Sequence, residues 1–247
     1  MQNTDKRNWK IIYSKFEGME KVYFPSSLDE ALKTGRKIYS SGYSGKLLLQ
    51  ERLGAPEGVE AESSVFTTYS DRSGRVKAAV LGDVLLEEQG PTSRGNYSAI
   101  ITKPLDEISY KLINMLDGIG YTGVANFDIL CLGEKRYCLE LNPRQGRSFD
   151  YIRSAGISLA ELFVKDMMEE NIEECFGCKE GLWRVVSKRT MIKYSKNKSL
   201  LRKGLYLEKG GDVVTPYDFS GERNPARKLY VLAHLYREKK RYAEMQT

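Results

Sequence analysis

The segment ANFDILCLGEKRYCLELNPRQGRS, residues 125–148, decides the fold class because it contains two neighbouring strands and the turn that joins them. GVANFDIL and RYCLELNP have the apolar character of buried strands, and LGEK between them is typical of a turn. Two acids, an amide and two arginines lie close together in or directly after these strands: Asp128, Glu140, Asn142, Arg144 and Arg147. Residues of this kind are unusual in apolar strands, so their spacing calls for a physical explanation.

Alternation along the strands brings three oxygen-bearing side chains together. Successive side chains of a strand point to opposite faces, so Cys138, Glu140 and Asn142 share one face. The short connection favours antiparallel pairing with the strand that carries Asp128, and directly opposed side chains lie within about 5 Å of each other. We therefore expect Asp128, Glu140 and Asn142 to converge on one face of the hairpin.

Two carboxylates and an amide carbonyl form an oxygen-only site, which is the kind that Mg²⁺ or Mn²⁺ prefers. The guanidinium groups of Arg144 and Arg147 follow directly and suit phosphate or carboxylate groups. Composition alone leaves a second interpretation open, namely a surface hairpin with scattered charges. Two opposed acids would repel each other without a cation, which favours the metal site.

The rest of the chain interleaves helices and strands, which predicts a mixed α+β fold. The segments SSLDEALKTGRKIYSSG, PLDEISYKLINMLDGIG and SLAELFVKDMMEE have helical caps and spacing, and a last amphipathic helix surrounds His234. KLLLQERL (46–53) predicts a buried strand, and SSVFTTYSDRSGRVKAAVLG predicts a hairpin that turns at residues 71–74. WRVV and LYLEKGG predict two further short strands.

Composition restricts the class of protein. The chain has 247 residues, of which 41% are hydrophobic and 29% charged, as in soluble globular proteins. No apolar run approaches a membrane span, and the polar start MQNTDKRNWK is unlike a signal peptide, so we expect a cytoplasmic protein without a membrane partner. The net charge of +6 suggests an anionic partner, either nucleic acid or a phosphate-bearing small molecule. The only histidine, His234, lies in the predicted last helix, and we expect it to be structural, so the chemistry should use neither a histidine base nor a Ser-His-Asp triad.

The hairpin resembles the metal-binding hairpin of the ATP-grasp superfamily, in which an acid is followed about a dozen residues later by Glu-x-Asn-Pro-Arg. The segment QERLGAPE (50–57) resembles the adenine-clamping hinge of D-alanine–D-alanine ligases, with Gln50 in place of the usual acid. FEGMEKVYF, LLEEQGPTSRGNYSAII, GYTGVANFD and LELNPRQGRS together resemble carboxylate–amine ligases of the D-aspartate ligase type. The resemblance covers nearly the whole chain.

The resemblance implies an enzyme that phosphorylates a carboxylate with ATP to an acylphosphate, which an amine then attacks, with release of ADP and phosphate. A role in peptidoglycan synthesis is its most specific form. It implies that Asp128, Glu140 and Asn142 bind Mg²⁺ (or Mn²⁺), that Arg144 steadies the transferred phosphoryl group or the acyl group, and that Arg147 binds the carboxylate substrate. The ATP-binding residues that it implies are Lys21, Gln50, Glu51, Arg52, Leu53, Glu57 and Asn96.

The resemblance also predicts three parts: a partial first ATP-grasp lobe with the hinge (1–53), a complete second lobe on an antiparallel sheet (54–178) and a C-terminal extension (179–247). Relatives carry a strand ending in Lys-Pro before the matching region, and no such strand precedes residue 9 here. A complementary N-terminal subunit, a truncated chain or nucleotide binding without ligation would each explain this. The alternative function is a non-catalytic nucleotide- or nucleic-acid-binding module, although nucleic acid is the less expected partner.

Overall fold

The computed structural model describes residues 23, 25–47, 49, 53, 60–88, 93, 95–177, 179–217 and 221–244. The chain divides into two compact units, one of residues 1–54 with 90–94 and one of residues 55–89 with 95–247. In the first unit, helix α1 (Leu28–Ser40) begins at Ser27, whose hydroxyl accepts a hydrogen bond from the Glu30 backbone N–H. This is the helix that the Ser cap and the acids of the first turn predict.

The second unit contains one eight-stranded sheet and the helices that cover it. Its strands are β1 (Ala61–Ser70), β2 (Val76–Glu87), β3 (Tyr97–Lys103), β4 (Gly123–Leu132), β5 (Lys135–Asn142), β6 (Cys175–Phe176), β7 (Leu182–Arg184) and β8 (Val213–Val214). Its helices are α2 (Glu107–Gly118), a 3₁₀ helix (Phe149–Ala155), α3 (Leu159–Met167), α4 (Lys188–Tyr194), α5 (Lys198–Gly210) and α6 (Pro225–Glu244).

The strand order is β5-β4-β1-β2-β3-β7-β8, and β6 pairs with β2 outside this series. The pairs from β5 to β7 are antiparallel, whereas β6 lies parallel to β2 and β8 parallel to β7. The predicted α+β fold, with an antiparallel sheet and flanking helices, is confirmed. The hairpin β1–β2 turns at Asp71, whose carboxylate accepts hydrogen bonds from the Ser73 and Arg75 backbone N–H groups.

Each face of the sheet has its own core because neighbouring side chains of a strand point in opposite directions. Val65 and Tyr69 of β1 pack with Tyr151 of the 3₁₀ helix and with Trp183. Phe66, between them in sequence, packs on the other face with α2 and the inner side chains of β4. The pairing register between β1 and β4 therefore determines which side chains of β4 face each core.

A third cluster joins the C-terminal helices to the sheet. Leu85, Leu86 and Ile101 of β2 and β3 are at most 5% exposed, and they pack with side chains of α4, α5 and α6. Tyr242 of α6 is 1% exposed in this cluster. The boundary near residue 178 stays a prediction, and residues on both of its sides contribute strands to one sheet.

Two secondary-structure predictions are wrong. LYLEKGG belongs to helix α5, which begins at the cap Asn197 and buries Leu201, Gly204 and Leu207 on one side. The alternation of leucines fits a strand, but burial at helical spacing decides for the helix. The buried strand predicted for residues 46–53 is also wrong where the chain is described, since Leu47 and Leu49 are 42% and 71% exposed and lie outside any strand.

Within the described part of the chain, no helix combines the length and the apolar character needed to cross a bilayer.

Candidate active site

The hairpin β4–β5 places the predicted metal ligands opposite one another. Asp128 pairs with Glu140 in the strand register, and Asn126 pairs with Asn142. Directly paired residues of antiparallel strands point to the same face, so all four side chains lie on one side of the hairpin. Sequence reasoning missed Asn126, although it precedes Asp128 by two residues and therefore shares its face.

A register shift lies directly beside this group. The pairing passes from Asp128–Glu140 to Ile129–Cys138, so β5 accommodates one extra residue, Leu139, at this point. Simple alternation therefore stops at Glu140, and the expectation that Cys138 shares the face of Glu140 is wrong in the register of the sheet. Bulges of this kind bend an edge strand and re-aim its side chains, and here the bend falls at the two acids.

The Asp128 carboxylate accepts a hydrogen bond of 3.0 Å from the Tyr97 hydroxyl of β3. Burial raises the pKa of the Tyr97 phenol well above its usual range, and the charge and hydrogen bond of Asp128 raise it further. Negative charge on Glu87 and Glu140 acts on the same hydroxyl in the same direction. Three carboxylates thus concentrate negative potential around one neutral phenol, which is an environment that favours a cation.

The carboxylate and amide oxygens of Asp128, Glu140 and Asn142 are donors of the kind that a hard divalent cation prefers. Asp128 and Asn142 are partly buried, and Glu140 is exposed, so the group opens toward solvent. Among the described residues, no group of three or more His, Cys, Asp or Glu side chains is arranged to hold a metal ion. A metal ion here would therefore need the amide of Asn142 beside the two carboxylates, and other ligands at its remaining coordination positions. Mg²⁺ usually fills such positions with water and with phosphate oxygens of the nucleotide.

The loop after β5 carries the two predicted arginines. A Cβ atom at Gly146 would lie 3.3 Å from the Asn126 amide nitrogen, so the loop passes directly over the side chain of Asn126. Arg144 is exposed and its Nη1 donates to the Gln145 carbonyl. Arg147 extends in another direction, and its Nη2 lies 3.2 Å from Glu88 Oε1.

Glu88 is the second functional candidate that sequence reasoning missed. It follows β2 directly and its side chain is only 1% exposed. Its Oε2 lies 3.4 Å from Asn96 Nδ2, and its backbone N–H donates to the Asn96 carbonyl at 2.9 Å. Two predicted site residues, Asn96 and Arg147, therefore meet at one buried carboxylate. The signal in the sequence is the acidic pair at the end of LLEEQG, where one of two successive acids must point inward.

Most of the predicted nucleotide contacts fall outside the described residues. Lys21, Gln50, Glu51, Arg52 and Glu57 lie there, and their roles stay predictions. Leu53 is described and partly buried, in the first of the two units.

Two cavities border the second unit away from the paired acids. One, of about 340 Å³, is lined by Tyr69, Arg72, Phe163, Asp166 and their neighbours. The other, of about 390 Å³, lies between the start of β1, the end of β2 and the loop before α5. Neither is lined by Asp128, Glu140 or Asn142.

Comparison with known proteins finds similarity to a ligase. The D-aspartate ligase of Enterococcus faecium (strain Aus0004) is 29% identical over 191 residues, which are 74% of this chain and 44% of that protein. The sequence of the chain is thus similar to that of a D-aspartate ligase. The predicted resemblance to ligases of the D-aspartate ligase type is thereby confirmed. The chain spans less than half the length of this relative. No family model matches the chain.

Solved structures with partial similarity include a biotin carboxylase domain and a pyruvate carboxylase. The biotin carboxylase domain of Hydrogenobacter thermophilus 2-oxoglutarate carboxylase, in complex with MgADP, ADP and bicarbonate, is 13% identical with a TM-score of 0.49. The match covers 72% of this chain and 43% of that one. Rhizobium etli pyruvate carboxylase is 18% identical with a TM-score of 0.35, over 45% of this chain and 11% of that one.

Proposed function

We propose that this chain carries the ATP- and metal-binding part of an ATP-dependent carboxylate–amine ligase. The observation that supports this most directly is the pairing of Asp128 with Glu140, next to Asn142, in a relative of D-aspartate ligase. The proposed reaction transfers the γ-phosphoryl group of ATP to a carboxylate oxygen. The amine nitrogen then attacks the acyl carbon, phosphate leaves, and the nitrogen loses a proton, which gives an amide, ADP and phosphate.

The proposed roles follow from charge and position. Asp128, Glu140 and Asn142 would hold Mg²⁺ (or Mn²⁺), which when bound neutralises the phosphate oxygens of ATP. Arg144, exposed beside these residues in the chain, would contact the transferred phosphoryl group, and Arg147 would contact the carboxylate substrate. Positioning and electrostatic stabilisation account for most catalysis of phosphoryl transfer, so the site requires neither a histidine base nor a nucleophilic side chain.

The more specific proposals rest on the relative's name. D-Aspartate would be the carboxylate that is activated, and peptidoglycan synthesis in the cytoplasm would be the setting. The hinge residues Gln50 to Leu53 and Glu57, with Lys21 and Asn96, would bind the adenosine and phosphates. The division into a partial first lobe, a second lobe and a C-terminal extension is part of this proposal, and so is a complementary N-terminal subunit.

Isothermal titration with Mg·ATP tests the metal and nucleotide site. We expect wild-type protein to bind, and Asp128→Ala and Glu140→Ala each to weaken binding at least about tenfold, because each removes a charged ligand of the ion. Glu134→Ala is the matched control, since Glu134 is an exposed acid in the turn of the same hairpin. Binding that is absent in the wild type, or equal in all four proteins, would refute the proposal.

A screen for ADP release identifies the substrates. The chain is incubated with Mg·ATP, D-aspartate and a series of amines, with L-aspartate in place of D-aspartate as the control. We expect release that depends on both a carboxylate donor and an amine, and that favours the D-isomer. Release with L-aspartate alone would contradict the D-aspartate assignment while it leaves the ligase proposal intact.

A further inference from the structure

We propose that Glu88 is a positioning residue that orients Arg147 toward the substrate and couples the site to the C-terminal helix α6. The inference rests on the proposed function, because Arg147 is there assigned to the carboxylate substrate. Neither Glu88 nor any residue of α6 belongs to the motifs of the hairpin or of the hinge.

The first observation is the exposure of the two partners. The Glu88 side chain is 1% exposed, whereas that of Arg147 is 58% exposed. Glu88 therefore fixes one edge of the Arg147 guanidinium, through Nη2, and the remainder of the group extends toward solvent. A guanidinium has five N–H donors in a rigid fork, so one bond to Glu88 sets its plane and leaves donors for a carboxylate ligand.

The second observation is a further cation on the same oxygen. Arg241 of α6 places its Nη2 2.6 Å from Glu88 Oε1 and 2.9 Å from Glu238 Oε2. Neither contact has the geometry of a hydrogen bond, and in the described part of the chain Arg241 Nε is buried without a hydrogen-bond partner. Arg241 therefore acts on Glu88 through charge, and Arg147 is the guanidinium that bonds to it in a defined direction.

The third observation is that Glu88 also holds Asn96. The Glu88 backbone N–H donates to the Asn96 carbonyl at 2.9 Å, and the Asn96 amide Nδ2 donates to the Glu88 carboxylate at 3.4 Å, so the segment before β3 is tied to Glu88 by both its backbone and its side chain. A buried carboxylate is costly unless it is paired and hydrogen-bonded. Arg147, Arg241 and Asn96 together meet this requirement, so the three segments that carry them are held in one arrangement.

A functional consequence follows from the sharing of one carboxylate. With Arg241 nearby, the negative charge of Glu88 stays compensated when Arg147 shares its own charge with a substrate carboxylate through its remaining donors. Helix α6 thereby supplies the charge that makes Arg147 available, although α6 itself contributes no proposed substrate contact.

A double-mutant cycle in the ADP-release assay tests the role of Glu88. Glu88→Gln keeps the shape of the side chain and removes its charge, and we expect the KM for the carboxylate substrate to rise about tenfold while the KM for ATP changes less than about twofold. In an Arg147→Ala background, Glu88→Gln should cause no further rise, because residues that act through one another are not additive. Lys240→Ala, an exposed cation of the same helix, is the control and should leave both constants unchanged.

An equal rise of both KM values, or a full effect of Glu88→Gln in the Arg147→Ala background, would overturn the positioning role. A second measurement does not depend on activity. In ¹⁵N-arginine NMR of the ligand-free protein, the Arg147 side chain should lose its restricted rotation in Glu88→Gln, but keep it in Arg241→Met, where Glu88 is still present, and in Lys240→Ala. Unchanged rotation in Glu88→Gln would overturn the inference, whereas absent ADP release with the expected NMR change would reject only the proposed function.

Discussion

Asn126 shows how closely the candidate site is packed at the scale of single residues. Its Oδ1 accepts a hydrogen bond of 2.8 Å from Thr67 Oγ1 of β1, and Gly146 lies against its amide on the other side. The buried Asn126 thus links the core of the sheet to the loop that carries the arginines.

A similar close approach occurs at Gly82 of β2, where neighbouring atoms leave no room for a side chain.

Gly82→Ala should lower the free energy of unfolding by about 1–3 kcal/mol, as overpacked cores do. A Cβ atom at this position would lie 2.5 Å from Ile100 Cγ2 and 3.1 Å from Tyr151 Cε2, and both side chains are fully buried. Urea denaturation measures the change. Gly118→Ala is the control, because no atom lies within 4 Å of its Cβ position, and its effect should be within about 0.5 kcal/mol. Equal effects at the two positions would contradict the packing described for Gly82.

Asp128→Asn should lower the pKa of Tyr97, because it removes the charge that raises this pKa most after burial. Burial persists, so the pKa should still exceed the value of about 10 of exposed tyrosines. A titration of ¹³Cζ-labelled tyrosine by NMR measures this, with Glu134→Gln in the hairpin turn as the control. An unchanged Tyr97 pKa in Asp128→Asn would show that the two side chains do not interact.

The raised pKa of Tyr97 also predicts how the stability of the folded protein changes at high pH. Because the folded-state pKa of Tyr97 is raised, the stability that its neutral form contributes is complete below about pH 10 and is lost as the pH rises beyond it. Tyr97→Phe should therefore flatten the fall in stability above pH 10, as measured by urea denaturation at several pH values. An equally steep fall in the variant would assign the alkaline loss to other groups.

At the scale of elements, helix α2 illustrates how caps and an apolar stripe act together. Asp106 caps its first turn by accepting from the Ser109 backbone N–H, and Leu112, Ile113 and Leu116 are the apolar residues that it buries. These side chains pack with β4 and so support the strand that carries Asp128. The hairpin β4–β5 depends on this support because β5 is an edge strand and largely exposed.

Leu116→Ala should reduce the free energy of unfolding by about 2–5 kcal/mol, since it leaves a cavity under the sheet. Leu116 is 0% exposed, and its neighbour Met115 is 42% exposed on the other side of the same helix. Met115→Ala is therefore the matched control, with an expected effect within about 0.5 kcal/mol. Urea denaturation measures the free energy of unfolding of both variants. A comparable decrease in Leu116→Ala and Met115→Ala would contradict the orientation of α2.

At the scale of the whole molecule, residues after position 178 are integrated into the second unit. They provide β7, β8 and three helices, and they bury Leu85, Leu86 and Ile101 of the sheet. A chain that ends at residue 178 should therefore lose its cooperative thermal transition, because these side chains become exposed. Circular dichroism measures the transition, with a chain that ends at residue 244 as the control. A cooperative transition in the shorter chain would establish an independent C-terminal extension.

Ligand binding gives a further test at this scale. Mg·ATP at about 100 times its Kd should stabilise the folded protein by about 2.7 kcal/mol, because it binds only the native state. Removal of the metal with EDTA should abolish most of this stabilisation, since the acids then repel the phosphates. Thermal unfolding with ATP, with and without EDTA, measures the difference. Equal stabilisation in the two conditions would contradict a metal-dependent site.

The sequence by itself determined the local features of this protein. The turn LGEK joins its two strands so closely that antiparallel pairing, and with it the opposition of Asp128 and Glu140, follows from chain connectivity. Caps and apolar spacing likewise determined α1 and α2, because both signals lie within a few residues. LYLEKGG was predicted wrongly since two leucines fit either periodicity, and only packing against the sheet selects the helix.

Only the tertiary structure decided how distant segments meet. Glu88 contacts Arg147 and Arg241, which lie on a later loop and on the last helix, and no local pattern specifies that approach. The length of β2, the order of the strands and the docking of Tyr242 set these distances. Contacts between residues near in the chain follow from local geometry, whereas a buried ion group assembled from distant segments exists only once the shared core fixes their positions.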